Sequence, residues 1–112
     1  MKNVAIGPIT VGNDQPLTVI AGPCQLENLQ HALMIADRMA EACAASGAAY
    51  VFKASYDKAN RTSLSGERGV GIDEGLDILA EVKARIGCPV LTDIHAPEHC
   101  ARAADACDIL QI

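Results

Sequence analysis

Two rhythms of apolar residues alternate along this chain. The first is short and continuous. Leu17 to Gly22 reads LTVIAG, Ala49 to Ala54 reads AYVFKA, Pro89 to Ile94 reads PVLTDI and Asp108 to Ile112 reads DILQI. The first of these is bounded by turn residues, as expected of a strand buried on both faces. The second rhythm has a helical period. From Asn28 to Ser46, Leu29, Leu33, Ala36, Ala40 and Cys43 fall three or four apart and Gly47 supplies a stop. From Ile72 to about Ile86, Ile72, Leu76, Leu79, the stem of Lys83 and Ile86 repeat the pattern before Gly87. Pro97 suits the first position of a third, alanine-rich helix running through Ala106. Ahead of all this, VAIGPITV reads as two short β runs split by Gly7-Pro8, a hairpin closed off by GNDQP.

Strand, helix and strand following one another without hairpin turns predict right-handed βαβ units and a parallel sheet. A doubly wound sheet and a (β/α)8 barrel both satisfy that order. No G-x-G-x-x-G fingerprint follows the first of these strands, so a dinucleotide fold loses its main support. The chemically loaded residues instead sit beyond strand ends: Cys24, then Lys53 to Ser63, then Asp93 and His95, then Gln111. A (β/α)8 TIM barrel builds its site from several strand ends at one face, and that fold is the expectation here. Residues 1–16 form the hairpin and 17–112 the first βα units, about four of eight strands in one domain. Because a whole barrel takes roughly 250 residues, the chain reads as the N-terminal part of a longer protein.

Half of the 112 residues are apolar and 21% are charged, a globular composition. No window approaches the roughly 18 consecutive apolar residues of a membrane span, and the first residues lack a signal-peptide pattern. A cytoplasmic protein with reduced thiols is expected, since the five cysteines form no C-x-x-C pair. Cys43, Cys88, Cys100 and Cys107 read as small buried hydrophobes.

The net charge of −5 argues against nucleic-acid partners, yet its distribution is uneven. Between Lys53 and Arg68 four cations meet two anions, a local +2 that leaves −7 for the remainder. A positive field on an acidic body suits small anionic ligands better than a polyanion, whose length the body would repel. Lys53, Ser55, Lys58, Asn60, Arg61, Thr62 and Ser63 could together hold phosphate by charge-assisted and neutral hydrogen bonds. A solvated loop is the plainer reading of the same run. In TDIH, Asp93 and His95 stand two apart on one side of a strand exit, where they could bind a polyol or move a proton; capping and surface roles are equally open. Cys24 follows Gly22-Pro23, a rigid turn that would aim its thiol at the mouth of the barrel, although a lone cysteine is commonly just a small hydrophobe. His31 and His99 fall on helix positions and carry no assignment.

FKASYDKANRTS, preceded by the hairpin and GPCQLE and followed by RGVGIDEGL, TDIH and DILQI, resembles the 3-deoxy-D-manno-octulosonate-8-phosphate (KDO-8-phosphate) synthase family over nearly the whole chain. The K-A-N-R-[ST]-S loop is its most specific part; the sister heptulosonate 7-phosphate (DAHP) synthases typically read K-P-R-T-S there. The resemblance implies a homotetrameric (β/α)8 barrel that condenses phosphoenolpyruvate with arabinose 5-phosphate and releases phosphate, feeding lipopolysaccharide synthesis. It implies Lys53 between the two substrates, Ser55 on phosphoenolpyruvate, Lys58 and Asn60 on the sugar, and Arg61 and Thr62 on the sugar phosphate of a neighbouring subunit. Asp93 and Gln111 match site residues near the sugar, and His95 a hydrogen-bonding or proton-transfer group. Members with cysteine in the GPC turn bind a divalent metal and members with asparagine need none, so Cys24 resembles a ligand for zinc, iron, cadmium or manganese. The DAHP synthase reaction with erythrose 4-phosphate and a non-catalytic phosphosugar-binding module are the competing expectations.

Overall fold

The computed structural model describes residues 2–57 and 70–112. Strands β1 (Val4–Ile6) and β2 (Ile9–Val11) form the antiparallel hairpin, with Val4 opposite Val11 and Ile6 opposite Ile9. Gly7, at φ +53°, takes the first turn position, where a positive φ matches the twist of the flanking strands.

The remaining strands are β3 (Thr18–Gln25), β4 (Ala49–Ser55), β5 (Val90–Asp93) and β6 (Ile109–Gln111). They pair in the order β3-β4-β5-β6, every pair parallel. Helices α1 (Leu29–Ser46), α2 (Ile72–Ile86) and α3 (Cys100–Ala106) connect them. The chain is therefore an α/β structure, a four-stranded parallel sheet with a separate hairpin. Its sequential strand order lacks the reversal that marks a doubly wound sheet.

Local chemistry explains the helix limits. The Asn28 side chain accepts a 2.8 Å hydrogen bond from the backbone N–H of His31, satisfying one of the unpaired donors at the start of α1. At the other end Gly47 adopts φ +76°, and the Ala48 N–H reaches back to the Cys43 carbonyl at 2.9 Å. Ala32, Ala36 and Cys43 are the buried residues of α1, small side chains that bring the helix close to the sheet. On α2 the buried set is Gly75, Leu76, Ile78, Leu79 and Val82. Lys83 stands at the rim, its Nζ 2.8 Å from Oδ1 of Asp108, whose Oδ2 accepts the Val90 N–H at 2.9 Å.

These helices share one core with alternate residues of the strands. Tyr50, Phe52, Ala54 and Tyr56 from β4 and its exit pack there with Val90, Leu79 and Val82. The opposite face carries the intervening positions, in rows across the sheet: Lys53, Leu91 and Ile109 in register, then Ser55, Asp93 and Gln111 two residues further along each strand.

Two expectations need correction. The first buried strand does not end in a turn at Gly22-Pro23. The register slips between Ala21 and Cys24, and pairing resumes with Cys24 opposite Ala54 and Gln25 opposite Ser55. Pro23 can donate no ladder bond, so a bulge takes it up and the strand continues. The third helix is also not continuous from Pro97. Pro97–His99 is a 3-10 turn, and α3 begins at Cys100. Ala96 offers no side-chain cap, leaving the first turn to tighten on itself.

Candidate active site

The C-terminal ends of β3 to β6 hold the candidate residues. At β4, Lys53 sits where β3 bulges, and Gly22 makes that approach possible: a Cβ there would lie 1.7 Å from the Lys53 carbonyl oxygen. Lys53 and Cys24 line one cavity of about 240 Å³ together with Ile20, Ala21 and Gly22. Cys24 is exposed and has φ +67°, alone among the described non-glycine residues in being left-handed. The bulge, not a terminal turn, therefore presents its thiol.

One step further along, Ser55 is completely buried and its Oγ–H donates to Oδ1 of Asp93. The other carboxylate oxygen, Oδ2, lies 3.0 Å from Nε2 of His95. That nitrogen is close but poorly aligned, and it makes no hydrogen bond among the described residues. Asp93 and His95 do share one side of the strand exit, as their spacing predicts. Gln111 is exposed at the register position beside Asp93, and its carbonyl accepts the Ile94 N–H at 2.9 Å. The structure thus brings Lys53, Ser55, Asp93, His95 and Gln111 to one end of the sheet, with Cys24 on the neighbouring strand. Lys58, Asn60, Arg61 and Thr62 lie outside the described residues.

Chemically, this end of the sheet offers a cation, a carboxylate already holding one hydroxyl, an imidazole and a carboxamide. Such a set can orient a polyhydroxylated anion and polarise a carbonyl. Among the described residues no group of three or more His, Cys, Asp or Glu side chains is placed to hold a metal ion. Cys24 could contribute one thiolate ligand. No described helix is long and apolar enough to cross a membrane.

Sequence reasoning missed Tyr56, Gln25 and His99. Tyr56 is 1% exposed, and its hydroxyl lies 2.9 Å from Nδ1 of His99 and accepts the His95 N–H at 3.2 Å. Burial pushes its phenol pKa upward, the Asp93 and Asp57 charges add to that, and the His95 N–H opposes it. Its place in the alternation Tyr50, Phe52, Ala54, Tyr56 was a legible signal for burial; its partners were not. Gln25 is buried opposite Ser55, and its Oε1 makes no hydrogen bond among the described residues. Cys43, Cys88 and Cys107 are buried as expected, whereas Cys100 is half-buried.

Known relatives share this arrangement of sequence. A 2-dehydro-3-deoxyphosphooctonate aldolase of Methylobacterium radiotolerans is 56% identical over 109 residues, covering 97% of this chain and 38% of its own. The protein of the same name from Rhodopseudomonas palustris is 54% identical over 109 residues, covering 97% of this chain and 38% of its own. The Rickettsia bellii protein of that name is 47% identical over 111 residues, covering 99% and 40%. The chain thus spans about two fifths of the length of the curated relatives it matches. The DAHP synthetase I family profile matches residues 2–112, nearly every position from the hairpin to the last strand, and the chain belongs to that family.

Proposed function

We propose that the protein carrying this chain is a KDO-8-phosphate synthase, condensing phosphoenolpyruvate with arabinose 5-phosphate and water to give the eight-carbon keto-acid phosphate and inorganic phosphate. The observation that carries the reading is the convergence of Lys53, Ser55, Asp93 and Gln111 at the ends of consecutive parallel strands, in a chain about half identical to octonate aldolases. The sequential parallel order supports a complete (β/α)8 barrel for the whole protein. A homotetramer, with Arg61 and Thr62 gripping the sugar phosphate across a subunit boundary, belongs to the same proposal, as does a cytoplasmic location.

In this reading Lys53 lies between the substrates and polarises the aldehyde oxygen as C3 of the enol attacks the aldehyde carbon. Lys58 and Asn60 hold the sugar. Asp93 and Gln111 accept and donate hydrogen bonds to its hydroxyls, and His95 hydrogen-bonds there or moves a proton. Ser55 already donates its hydroxyl hydrogen bond to Asp93, so donating to phosphoenolpyruvate through that hydroxyl requires Asp93 to accept from another hydrogen-bond donor, and a sugar hydroxyl is the natural one. A divalent ion bound through Cys24, as zinc, iron, cadmium or manganese, would supply Lewis acidity beside this array.

The family profile also covers the heptulosonate 7-phosphate reaction, so the deciding experiment offers both aldoses. Phosphoenolpyruvate consumption by the full-length protein is expected with arabinose 5-phosphate, to fall with a chelator and to return with a divalent ion. Preference for erythrose 4-phosphate would overturn the substrate, indifference to chelation would remove the metal, and no consumption with either sugar would favour a phosphosugar-binding module.

A further inference from the structure

We propose that Tyr56 and His99 form a tether that holds His95 at the substrate end of the sheet, making Tyr56 a positioning residue for the condensation; the proposal rests on the function given above. A tyrosine hydroxyl has one proton and two lone pairs. Here it accepts the His95 N–H at 3.2 Å, and its own proton has Nδ1 of His99 as an acceptor at 2.9 Å. Donation in that direction uses the buried hydroxyl's proton and one of its lone pairs and fixes His99 with its proton on Nε2. Both imidazole rings meet the Tyr56 ring edge-on, at centroid distances of 5.3 Å for His95 and 5.6 Å for His99.

Tyr56 is itself held from the other side. Gly75 of α2 has no side chain, and a Cβ there would come within 2.4 Å of the Tyr56 Cβ. The Gly71 N–H donates to the Tyr56 carbonyl at 3.0 Å. The phenol is thus a fixed post between β4 and α2, and both of its polar contacts among the described residues go to the five-residue stretch from His95 to His99. Core filling alone would be served by phenylalanine, without the cost of burying a hydroxyl. His95 needs the support, because its buried Nε2 lies near Asp93 without a hydrogen bond aligned among the described residues. Burial and the nearby Asp93 and Asp57 charges keep the phenol protonated, as a donor must be.

The test is a kinetic comparison of the full-length wild type with Tyr56→Phe, His99→Ala and His99→Asn, the last keeping an acceptor near the Nδ1 position. Tyr56→Phe and His99→Ala are expected to lower kcat about tenfold while KM for phosphoenolpyruvate moves less than about twofold. His99→Asn should recover most of that loss. Adding Tyr56→Phe to His95→Ala should cost nothing further, because the tether acts through His95. An unchanged kcat in Tyr56→Phe, or a loss that multiplies fully onto His95→Ala, would overturn the tether.

Wild-type inactivity with arabinose 5-phosphate would instead strike the proposed function, and a substrate-independent readout then decides the tether. Long-range ¹⁵N correlations should show His99 protonated on Nε2 in the wild type and as a tautomer mixture in Tyr56→Phe. The same spectrum in both proteins would refute it.

Discussion

Ser55 of β4 donates a hydrogen bond from its hydroxyl to Asp93 of β5, so one buried side chain fixes the carboxylate around which His95 and Gln111 are arranged. Removing that hydroxyl leaves Oδ1 of Asp93 without its donor. Ser55→Ala should therefore destabilise the protein by about 1 kcal/mol, since the acceptor it strands is only partly buried. Denaturant melts of the two proteins measure it. Asp93→Asn, in contrast, keeps the shape and removes the charge. It is expected to lower kcat for phosphoenolpyruvate consumption by roughly tenfold or more while the circular dichroism spectrum stays unchanged; a wild-type kcat would take Asp93 out of the chemistry.

Gly22 lets β3 approach β4 more closely than any side chain would allow. Gly22→Ala would drive a Cβ into the Lys53 carbonyl, which is backbone and cannot rotate away. We expect a loss of about 3 kcal/mol or more and a displaced Lys53. Soluble expression, thermal midpoint and kcat together report it, and a near-wild-type protein would mean that the bulge can open.

Cys107 makes the fold sensitive to alkali. Burial first, and the Asp108 charge second, raise its thiol from 9.0 to about 12, against a smaller opposing effect of Lys83. The folded state therefore keeps a proton that the unfolded chain releases above pH 9, and stability present below that pH is lost as pH rises towards 12. Cys88 and Tyr50 are shifted upward too, both mainly by burial, so they steepen the same limb. Cys107→Ala should flatten it by up to about 1.4 kcal/mol per pH unit. Melts under reducing conditions between pH 8 and 11 would reveal the difference, and an identical slope would contradict it.

Cys24 should be the first thiol to react with a water-soluble disulfide reagent, since it is exposed while Cys43, Cys88 and Cys107 are buried. Mass mapping after partial labelling checks the order. Cys24→Asn should reduce bound divalent metal without weakening the fold, because asparagine tolerates a left-handed backbone better than other non-glycine residues and Cys24 has φ +67°. Metal content equal to wild type would exclude this thiol as a ligand.

How much of this was legible depended on the range of the interaction. Asn28 and Gly47 mark the ends of α1 through bonds to residues at most a turn or so away, and the sequence locates them closely. The strands follow from period and bounding turns. Asp93 and His95 share a side because they stand two apart where the alternation of β5 carries just past its last residue, which needs no knowledge of the sheet. The bulge was hidden because Gly-Pro reads as a terminator, and only the neighbouring Lys53 carbonyl explains why the strand resumes. The Ser55–Asp93 bond joins residues 38 apart, and the Tyr56–His99 contact residues 43 apart. No local pattern encodes such pairs; strand register and helix packing create them.

The hydrogen bond from the Gly71 N–H to the Tyr56 carbonyl has a consequence for divergence within the family. The chain leaves the sheet at Tyr56 and is pinned to the same residue again at Gly71, so β4 and α2 are joined by a backbone bond as well as through the sequence between them. The entropic cost of closing a loop grows slowly with its length. A change in the number of residues between Tyr56 and Gly71 would therefore leave that bond to hold the junction of β4 and α2.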